Sequence, residues 1–261
     1  MPEVVREEEN GIVTLTLDEP AVMNAMSRSF PEVLGRHLVE INTSTNVRAI
    51  ILTGVQDVFC AGAQVGDVIV DRPVDRNEER DIIRSFNHLV EQLRRLDIPT
   101  IAAVNGVAVG GGVALALACD LVVAAAKARF LMGFARVGLS AADMGLTYIL
   151  PRLVGLARAT RMLLLSEEVS GTEAEAIGMI ARSVPKDRLM TVARSWAESF
   201  VVGAPLAATL TKLALTRETC TDFSSALEME VYLQSYAMQS EDHKEGVRAL
   251  REKRETYYKG R

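Results

Sequence analysis

With 261 residues and a mass of 28.4 kDa, the chain is long enough to bury most of its apolar surface in one large or two small domains. The net charge of -5 and the pI of about 5.4 argue against nucleic acid or an anionic membrane as a partner. Three cysteines without a C-x-x-C pair indicate neither a disulfide framework nor a zinc site. Residues 3–9 are rich in glutamate rather than basic and apolar like a secretory signal, so we expect a cytoplasmic protein.

Strand and helix patterns alternate in the first half of the chain. Short apolar or alternating runs predict strands, and apolar residues that recur every three or four positions predict helices. The predicted helix at 82–96 stops before Pro99, because a proline disfavours helical geometry at the residue before it. The predicted strands are 12–17, 49–52, 100–104 and 121–124, and the predicted helices are 30–41, 82–96 and 111–118. This alternation favours an α/β fold.

The second half of the chain is mostly helical in pattern. Thr172 and Glu175 have the spacing of a capping box, which predicts a helix start at this point. Amphipathic stretches predict helices over 187–200 and 223–239, and residues 180–184 give the remaining strand signal.

Four segments follow one another in a characteristic order. Residues 24–26 read N-A-M, 57–65 read D-V-F-C-A-G-A-Q-V and 104–112 read V-N-G-V-A-V-G-G-G. Residues 241–246 read E-D-H-K-E-G, with E-K-R following at 252–254. In this order and spacing they resemble the enoyl-CoA hydratase/isomerase (crotonase) superfamily over essentially the whole chain.

The resemblance implies a crotonase (ClpP/crotonase) fold, an α/β spiral of ββα units with a C-terminal helical trimerisation region. The implied division is residues 1–185 for the acyl-CoA-binding core and 186–261 for the helices that make a homotrimer or a dimer of trimers. The implied ligand is an acyl-CoA small-molecule substrate. No cofactor is expected beyond the coenzyme A moiety of that substrate, and neither nucleic acid nor a membrane is expected as a partner.

Two backbone amides are the predicted catalytic donors. By position in the matching segments, the N–H groups of Ala63 and Gly111 form an oxyanion hole for the thioester oxygen, and fixed donors stabilise charge there without reorganising. The start of a helix at Gly111 adds its positive dipole end. The further predicted substrate contacts are Ala61, Gln64, Val65, Gly110 and Lys253. The alternative for Gly110–Gly112 is tight helix–sheet packing or a turn, and for Lys253 it is a solvated helix face.

The two glutamates that activate water in enoyl-CoA hydratases are absent from the matching positions. Ala114 stands at the first position and Phe134 at the second. Methyl and phenyl groups transfer no protons, so we do not expect hydration by the two-glutamate route.

Asp143 is the candidate catalytic base. Residues 143–155 resemble the D-x-G-x-x-x-x-L-P segment of the dienoyl-CoA isomerases, whose aspartate moves a proton. An apolar acyl pocket would raise the pKa of such a carboxyl group by desolvation. The alternative is that Asp143 caps a helix that begins near Met144. Arg136 is either a contact for a substrate anion or a solvated or salt-bridged side chain.

Isomerisation of a double bond in an acyl-CoA is therefore the favoured function. The rival functions are hydration by a different residue set and silent binding of acyl-CoA. A dinucleotide enzyme is excluded because Leu115 occupies the last position of G-x-G-x-x-G. The chain also has no P-loop and no G-x-S-x-G pentapeptide.

Overall fold

A six-stranded sheet forms the larger layer of the fold. A computed structural model of the chain describes residues 4–260. Neighbouring strands are parallel, except that the first two form an antiparallel pair. In spatial order the strands are β1 (Val4–Glu9), β2 (Ile12–Leu17), β3 (Ala49–Gly54), β5 (Thr100–Val104), β7 (Leu121–Ala125) and β10 (Arg182–Val184).

A four-stranded sheet forms the smaller layer. Its strands have three residues each, and the last two form an antiparallel pair. In spatial order they are β4 (Val58–Cys60), β6 (Val107–Val109), β8 (Arg129–Leu131) and β9 (Glu168–Ser170).

The chain passes between the two sheets in repeated turns. Each turn places one strand in the larger sheet and the next strand in the smaller sheet, and then forms a helix. The turns are β3–β4–α2 with α2 at Arg76–Arg95, β5–β6–α3 with α3 at Gly111–Ala118, and β7–β8–α4 with α4 at Leu146–Val154. The predicted crotonase spiral of ββα units is thereby confirmed.

The predicted helices of the first half are also confirmed. α1 (Phe30–Asn42) buries Phe30, Leu34 and Leu38 at helical spacing. α2 begins six residues before its predicted start because its first turns are charged and exposed and carry no apolar signal. The Asp75 carboxylate caps α2 by accepting two backbone N–H groups. α3 is buried along its whole length, so it packs within the core.

Six further helices complete the described chain, namely α5 (Leu156–Leu164), α6 (Gly171–Ala176), α7 (Leu189–Val202), α8 (Pro205–Glu218), α9 (Phe223–Gln239) and α10 (Glu241–Glu252). α7 packs on the larger sheet, where Ala193 and Ala197 join a buried cluster with Ile51 and Ile101. The boundary between residues 185 and 186 stays a prediction.

The predicted capping box is wrong by two residues. Ser170 Oγ accepts the Glu173 N–H at 3.2 Å, and the Glu173 carboxylate accepts the Ser170 N–H at 2.7 Å. The Glu175 carboxylate instead accepts the N–H and the hydroxyl of Ser183, at the start of β10. The capping box of α6 is therefore formed by Ser170 and Glu173, two positions before the predicted pair.

No single helix within residues 4–260 combines the length and apolarity needed to cross a membrane. One pair, Lys186–Val202 and Pro205–Glu218, meets the criteria of length and composition only when the two helices are joined, and they are bent by 113°.

Candidate active site

A cavity of about 390 Å³ lies between α2, the loop after β4, the start of α3 and the segment that precedes α4. Its walls are mostly apolar and include Val68, Ile69, Ile82, Phe86 and Leu139. Three titratable side chains also line it, those of Arg28, Glu79 and Asp143. An apolar cavity with few polar groups is typical of a small-molecule site.

The Ala63 amide lies on one wall of this cavity. Residues 26 and 63 form a parallel β-bridge. The hydrogen bonds of this bridge run between Met26 and the two neighbours of Ala63. The Met26 N–H donates to Gly62 O at 2.7 Å, and the Met26 carbonyl accepts the Gln64 N–H at 2.9 Å. In a parallel ladder the intervening residue therefore turns its own N–H away from the partner. Among the described residues, no carbonyl accepts the Ala63 N–H.

Gly111 lies on the same cavity and begins α3. As the first helical residue it has no intrahelical acceptor for its N–H, and no acceptor for it occurs elsewhere in the described chain. Gly62 brings the two loops together, because its φ is +88° and a Cβ there would lie 2.7 Å from Val109 O and 3.6 Å from Gly111 N. Ala63 and Gly111 thus both line one cavity, and no described carbonyl accepts the N–H of either residue.

The two positions of the missing glutamates differ in their surroundings. Ala114 is fully buried within α3 and is not among the described residues that line the cavity. Phe134 lines the cavity, and its ring lies 3.5 Å from the point where Gly110 would carry a Cβ. Phe134 therefore gives this wall of the cavity an apolar ring and no proton-transfer group.

The Asp143 side chain lies on this cavity, in the segment before α4. Burial raises the pKa of its carboxyl group above the ordinary value, and the neighbouring Met144 N–H partly opposes this effect. The alternative, that Asp143 caps a helix near Met144, is not observed. α4 begins at Leu146, its N-cap is Gly145 in the left-handed conformation, and no side chain caps it.

The other predicted site residues lie away from the described lining of the cavity. Gln64 and Gly110 use their N–H groups in backbone hydrogen bonds, as does Ala61, which donates to Met23 O. Val65 is exposed on the loop after β4. Lys253 follows α10 as its left-handed C-cap instead of lying within the helix. Their roles as substrate contacts stay predictions.

Arg136 also lies outside the described lining of this cavity. Its guanidinium donates to the carbonyl of Ser166 at 3.3 Å, and the residue is exposed.

Arg28 and Glu79 are cavity residues that the sequence patterns did not identify. The Arg28 guanidinium donates to the carbonyl of Asp67 at 2.8 Å and pairs with the Glu78 carboxylate. The Arg28 N–H also donates to the Asp67 carboxylate, at 2.8 Å. Arg28 therefore fastens the loop after β4 to the start of α2 at the edge of the cavity. The acidic residues in the first turn of α2 could have indicated a partner for a cation. That partner, Arg28, could not be identified from the sequence, because it lies 39 to 50 residues from the groups that it contacts.

The spiral of ββα units and the cavity beside α3 define a protein of the crotonase fold. The sequence profile of the family Enoyl-CoA hydratase/isomerase matches residues 7–261, and the chain belongs to this family.

Relatives and solved structures agree with this family over nearly full length. The chain is 34% identical to the 1,2-epoxyphenylacetyl-CoA isomerase of Escherichia coli (strain K12), over 97% of each chain. It is 32% identical to the short-chain-enoyl-CoA hydratase of Clostridium acetobutylicum, over 96% of this chain and 95% of the relative. The crystal structure of an enoyl-CoA hydratase from Bacillus anthracis superposes with a TM-score of 0.94 at 30% identity, covering 99% of this chain and 100% of the other.

Proposed function

We propose that the protein is an acyl-CoA isomerase in which Asp143 moves a proton beside a thioester held by the Ala63 and Gly111 amides. The observation that carries this proposal is the position of one desolvated carboxyl group on the same cavity as two unused backbone donors. The residues at positions 114 and 134 hold no proton-transfer group, which favours isomerisation over two-glutamate hydration.

The proposed reaction needs one base and no co-reactant. The Asp143 carboxylate removes a proton from the carbon next to the thioester carbonyl of a 3-enoyl-CoA, and the electron pair of that C–H bond forms an enolate. The two amides stabilise the resulting charge on the thioester oxygen. The protonated Asp143 then returns the proton to carbon 4 of the acyl chain. One C–H bond breaks at carbon 2, another forms at carbon 4, and the double bond shifts from position 3 to position 2. Coenzyme A enters only as part of the substrate.

A desolvated carboxylate suits this role because its raised pKa makes it a stronger base. The apolar walls near Ile82 and Phe86 suit a hydrocarbon or aromatic acyl group, since they offer it no charge. An epoxidised aromatic acyl-CoA is the second candidate substrate, because a relative 34% identical is named 1,2-epoxyphenylacetyl-CoA isomerase.

The test is incubation of the protein with saturated, 2-enoyl, 3-enoyl, dienoyl and epoxyphenylacetyl thioesters in deuterated water, with products read by mass spectrometry. Isomerisation gives a product with the same elemental composition as the substrate, so its mass changes only where deuterium replaces hydrogen. Hydration, for which Glu79 offers a second carboxylate on the cavity, adds the mass of water. Silent binding changes no mass. Either of the last two results contradicts the proposal.

Asp143→Asn identifies the base. We expect the rate to fall by about 10²–10⁴, the usual contribution of general acid–base catalysis, with the affinity for a saturated acyl-CoA retained. The matched control is Asp71→Asn, an exposed carboxylate of the loop between β4 and α2, which should leave the rate unchanged. Full activity of Asp143→Asn would show that another group moves the proton.

A further inference from the structure

The loop that carries Asp143 has an unusual backbone. Met144 has a φ of +47° and Gly145 a φ of +75°, so two consecutive residues are left-handed. A side chain such as that of methionine disfavours this region, and such a conformation persists only where its surroundings hold it. The described chain shows what holds Met144 on two sides.

On one side the Met144 side chain is buried beneath the start of α3. Only 1% of Met144 is exposed, and its sulfur lies 3.0 Å from the point where Gly111 would carry a Cβ. The loop is therefore packed against Gly111, which also lines the cavity.

On the other side Asn87 of α2 holds the backbone. The Met144 N–H donates to Asn87 Oδ1 at 3.0 Å, across 57 residues of sequence. The same N–H also lies close enough to the Asp143 carboxyl group to lower its pKa in part. Asn87 and Asp143 thus compete for one donor, and the share taken by Asn87 is lost to the carboxylate.

Asn87 also lies on a second cavity, of about 470 Å³. This cavity shares Asp143 and Met144 with the first cavity, of about 390 Å³, which is called the acyl cavity below because it is the proposed site of the acyl group. The other charged side chains of the second cavity's lining are Glu91, Arg94 and Arg95, on the same helix as Asn87, and Tyr148 adds a titratable hydroxyl. In the acyl cavity, Arg28 and Glu79 are the other titratable groups of the described lining. Asp143 therefore lines both cavities, whereas Asn87 lines only the second.

We infer that Asn87 is a positioning residue for Asp143: by accepting the Met144 N–H it fixes the left-handed loop and withholds that donor from the carboxylate. This inference rests on the proposed function for its kinetic consequence. Asn87 touches no reacting atom, and it acts through the loop.

Two substitutions separate this role from simple packing, because they shift the pKa in opposite directions. Asn87→Leu keeps the size of the side chain but removes the acceptor, so the Met144 N–H turns to the carboxylate and lowers the pKa of Asp143. Asn87→Asp keeps an acceptor and adds a negative charge, which raises that pKa. A packing defect would lower stability in both variants without this opposition.

The measurement is the pH profile of kcat together with KM. For Asn87→Leu we expect kcat to fall about 10-fold to 100-fold with KM little changed, since the base is displaced. We expect its acid limb to move about one pH unit downward, and that of Asn87→Asp to move upward by a similar amount. The control is His88→Leu on the same helix, whose side chain is 67% exposed and which should match the wild type.

A second measurement is independent of activity. The Asp143 carboxyl carbon, labelled with ¹³C and assigned by its loss in Asp143→Asn, is titrated in each variant by NMR. Equal pKa values in wild type, Asn87→Leu and Asn87→Asp, or shifts of the same sign in both variants, overturn the inference. A wild type that isomerises no thioester contradicts the proposed function alone, because this titration still decides the role of Asn87.

Discussion

At the scale of single residues, the proposed reaction requires the Ala63 N–H to stabilise the thioester oxygen. This N–H takes no part in the bridge between residues 26 and 63, which uses Gly62 O and Gln64 N. Ala63→Pro removes this N–H without removing a structural hydrogen bond. We expect kcat/KM to fall by about 10²–10³, as it does when one oxyanion donor is lost. The rate with the preferred thioester and the thermal midpoint check this prediction.

The matched control for this substitution is the next residue. Gln64→Pro removes the N–H that donates to Met26 O, so it should lower the thermal midpoint where Ala63→Pro does not. Unchanged turnover by Ala63→Pro would rule out this amide as an oxyanion donor.

The carboxyl group of Asp143 links activity and stability to pH. Its folded pKa is raised by burial, so the folded state binds the proton more tightly than the unfolded chain. The free energy of unfolding attributable to this group therefore falls as pH rises from the ordinary aspartate value of about 3.9 through the folded pKa. Activity should rise over the same window, because only the carboxylate accepts a proton.

Asp143→Asn should remove this dependence. Below this pH range, Asp143→Asn and the wild type should have the same free energy of unfolding in urea. Above it, the variant should be more stable than the wild type. Its activity should be low at every pH. Lower stability of the variant at neutral pH would contradict the assigned direction of the pKa shift.

Site residues were predictable to the extent that short motifs carry them. Ala63, Gly111, Phe134 and Asp143 were named from motifs of the family resemblance, and all four line one cavity. Asn87 was not predictable in this way, because its importance comes from one hydrogen bond to a backbone 57 residues away. An exposed asparagine on an amphipathic helix has no distinguishing local pattern.

At the scale of elements, most of the longer segments were predicted, and the short strands of the smaller sheet were missed. β4, β6, β8 and β9 have three residues each, too few to display a period of two. β1 was missed because its sequence, V-V-R-E-E-E, ends in exposed charges, although it pairs with β2 along its full length. α8 was missed because its apolar residues are spread around the helix instead of forming one stripe, and its one buried residue is Lys212.

That buried lysine fastens α8 to the larger sheet. Lys212 Nζ lies 2.7 Å from Asp120 Oδ2 and donates to the carbonyl of Ile98 at 3.0 Å. The Asp120 carboxylate also accepts the N–H and the hydroxyl of Thr100. Lys212→Met leaves this carboxylate without its cation, and we expect the free energy of unfolding to fall by about 2 kcal/mol. This value is below that for a fully buried pair because the Asp120 side chain keeps 28% exposure.

Urea unfolding of Lys212→Met and of Lys244→Met checks this prediction. Lys244 pairs with Glu241 on the surface of α10, where such a pair contributes at most about 1 kcal/mol. The double variant Asp120→Asn/Lys212→Met should lose less than the sum of the single losses, because the two side chains share one interaction. Equal losses for Lys212→Met and Lys244→Met would mean that the buried pair adds no stability.

At the scale of the whole molecule, local patterns predict alternating strands and helices but not the order of the strands. The larger sheet places β3 beside β5 and β5 beside β7, because every intervening strand has crossed to the smaller sheet. Those crossing strands are the ones too short to predict. The resemblance to a known family supplied this topology, whereas periodicity supplied only the α/β class.

α9, which has no buried residue within the described chain, gives the last prediction. It exposes Phe223, Val231, Tyr232 and Tyr236 at 77%, 58%, 72% and 62%. A large exposed apolar surface is typical of an interface, and the family resemblance implies a trimer or a dimer of trimers. We expect the wild type to sediment as a trimer or larger, and Tyr232→Glu/Tyr236→Glu to sediment as a smaller species, because buried unpaired carboxylates oppose association. Val39→Glu, at an exposed position of α1, should sediment like the wild type. A monomeric wild type at micromolar concentration would contradict this assembly and leave the exposed face of α9 to another role.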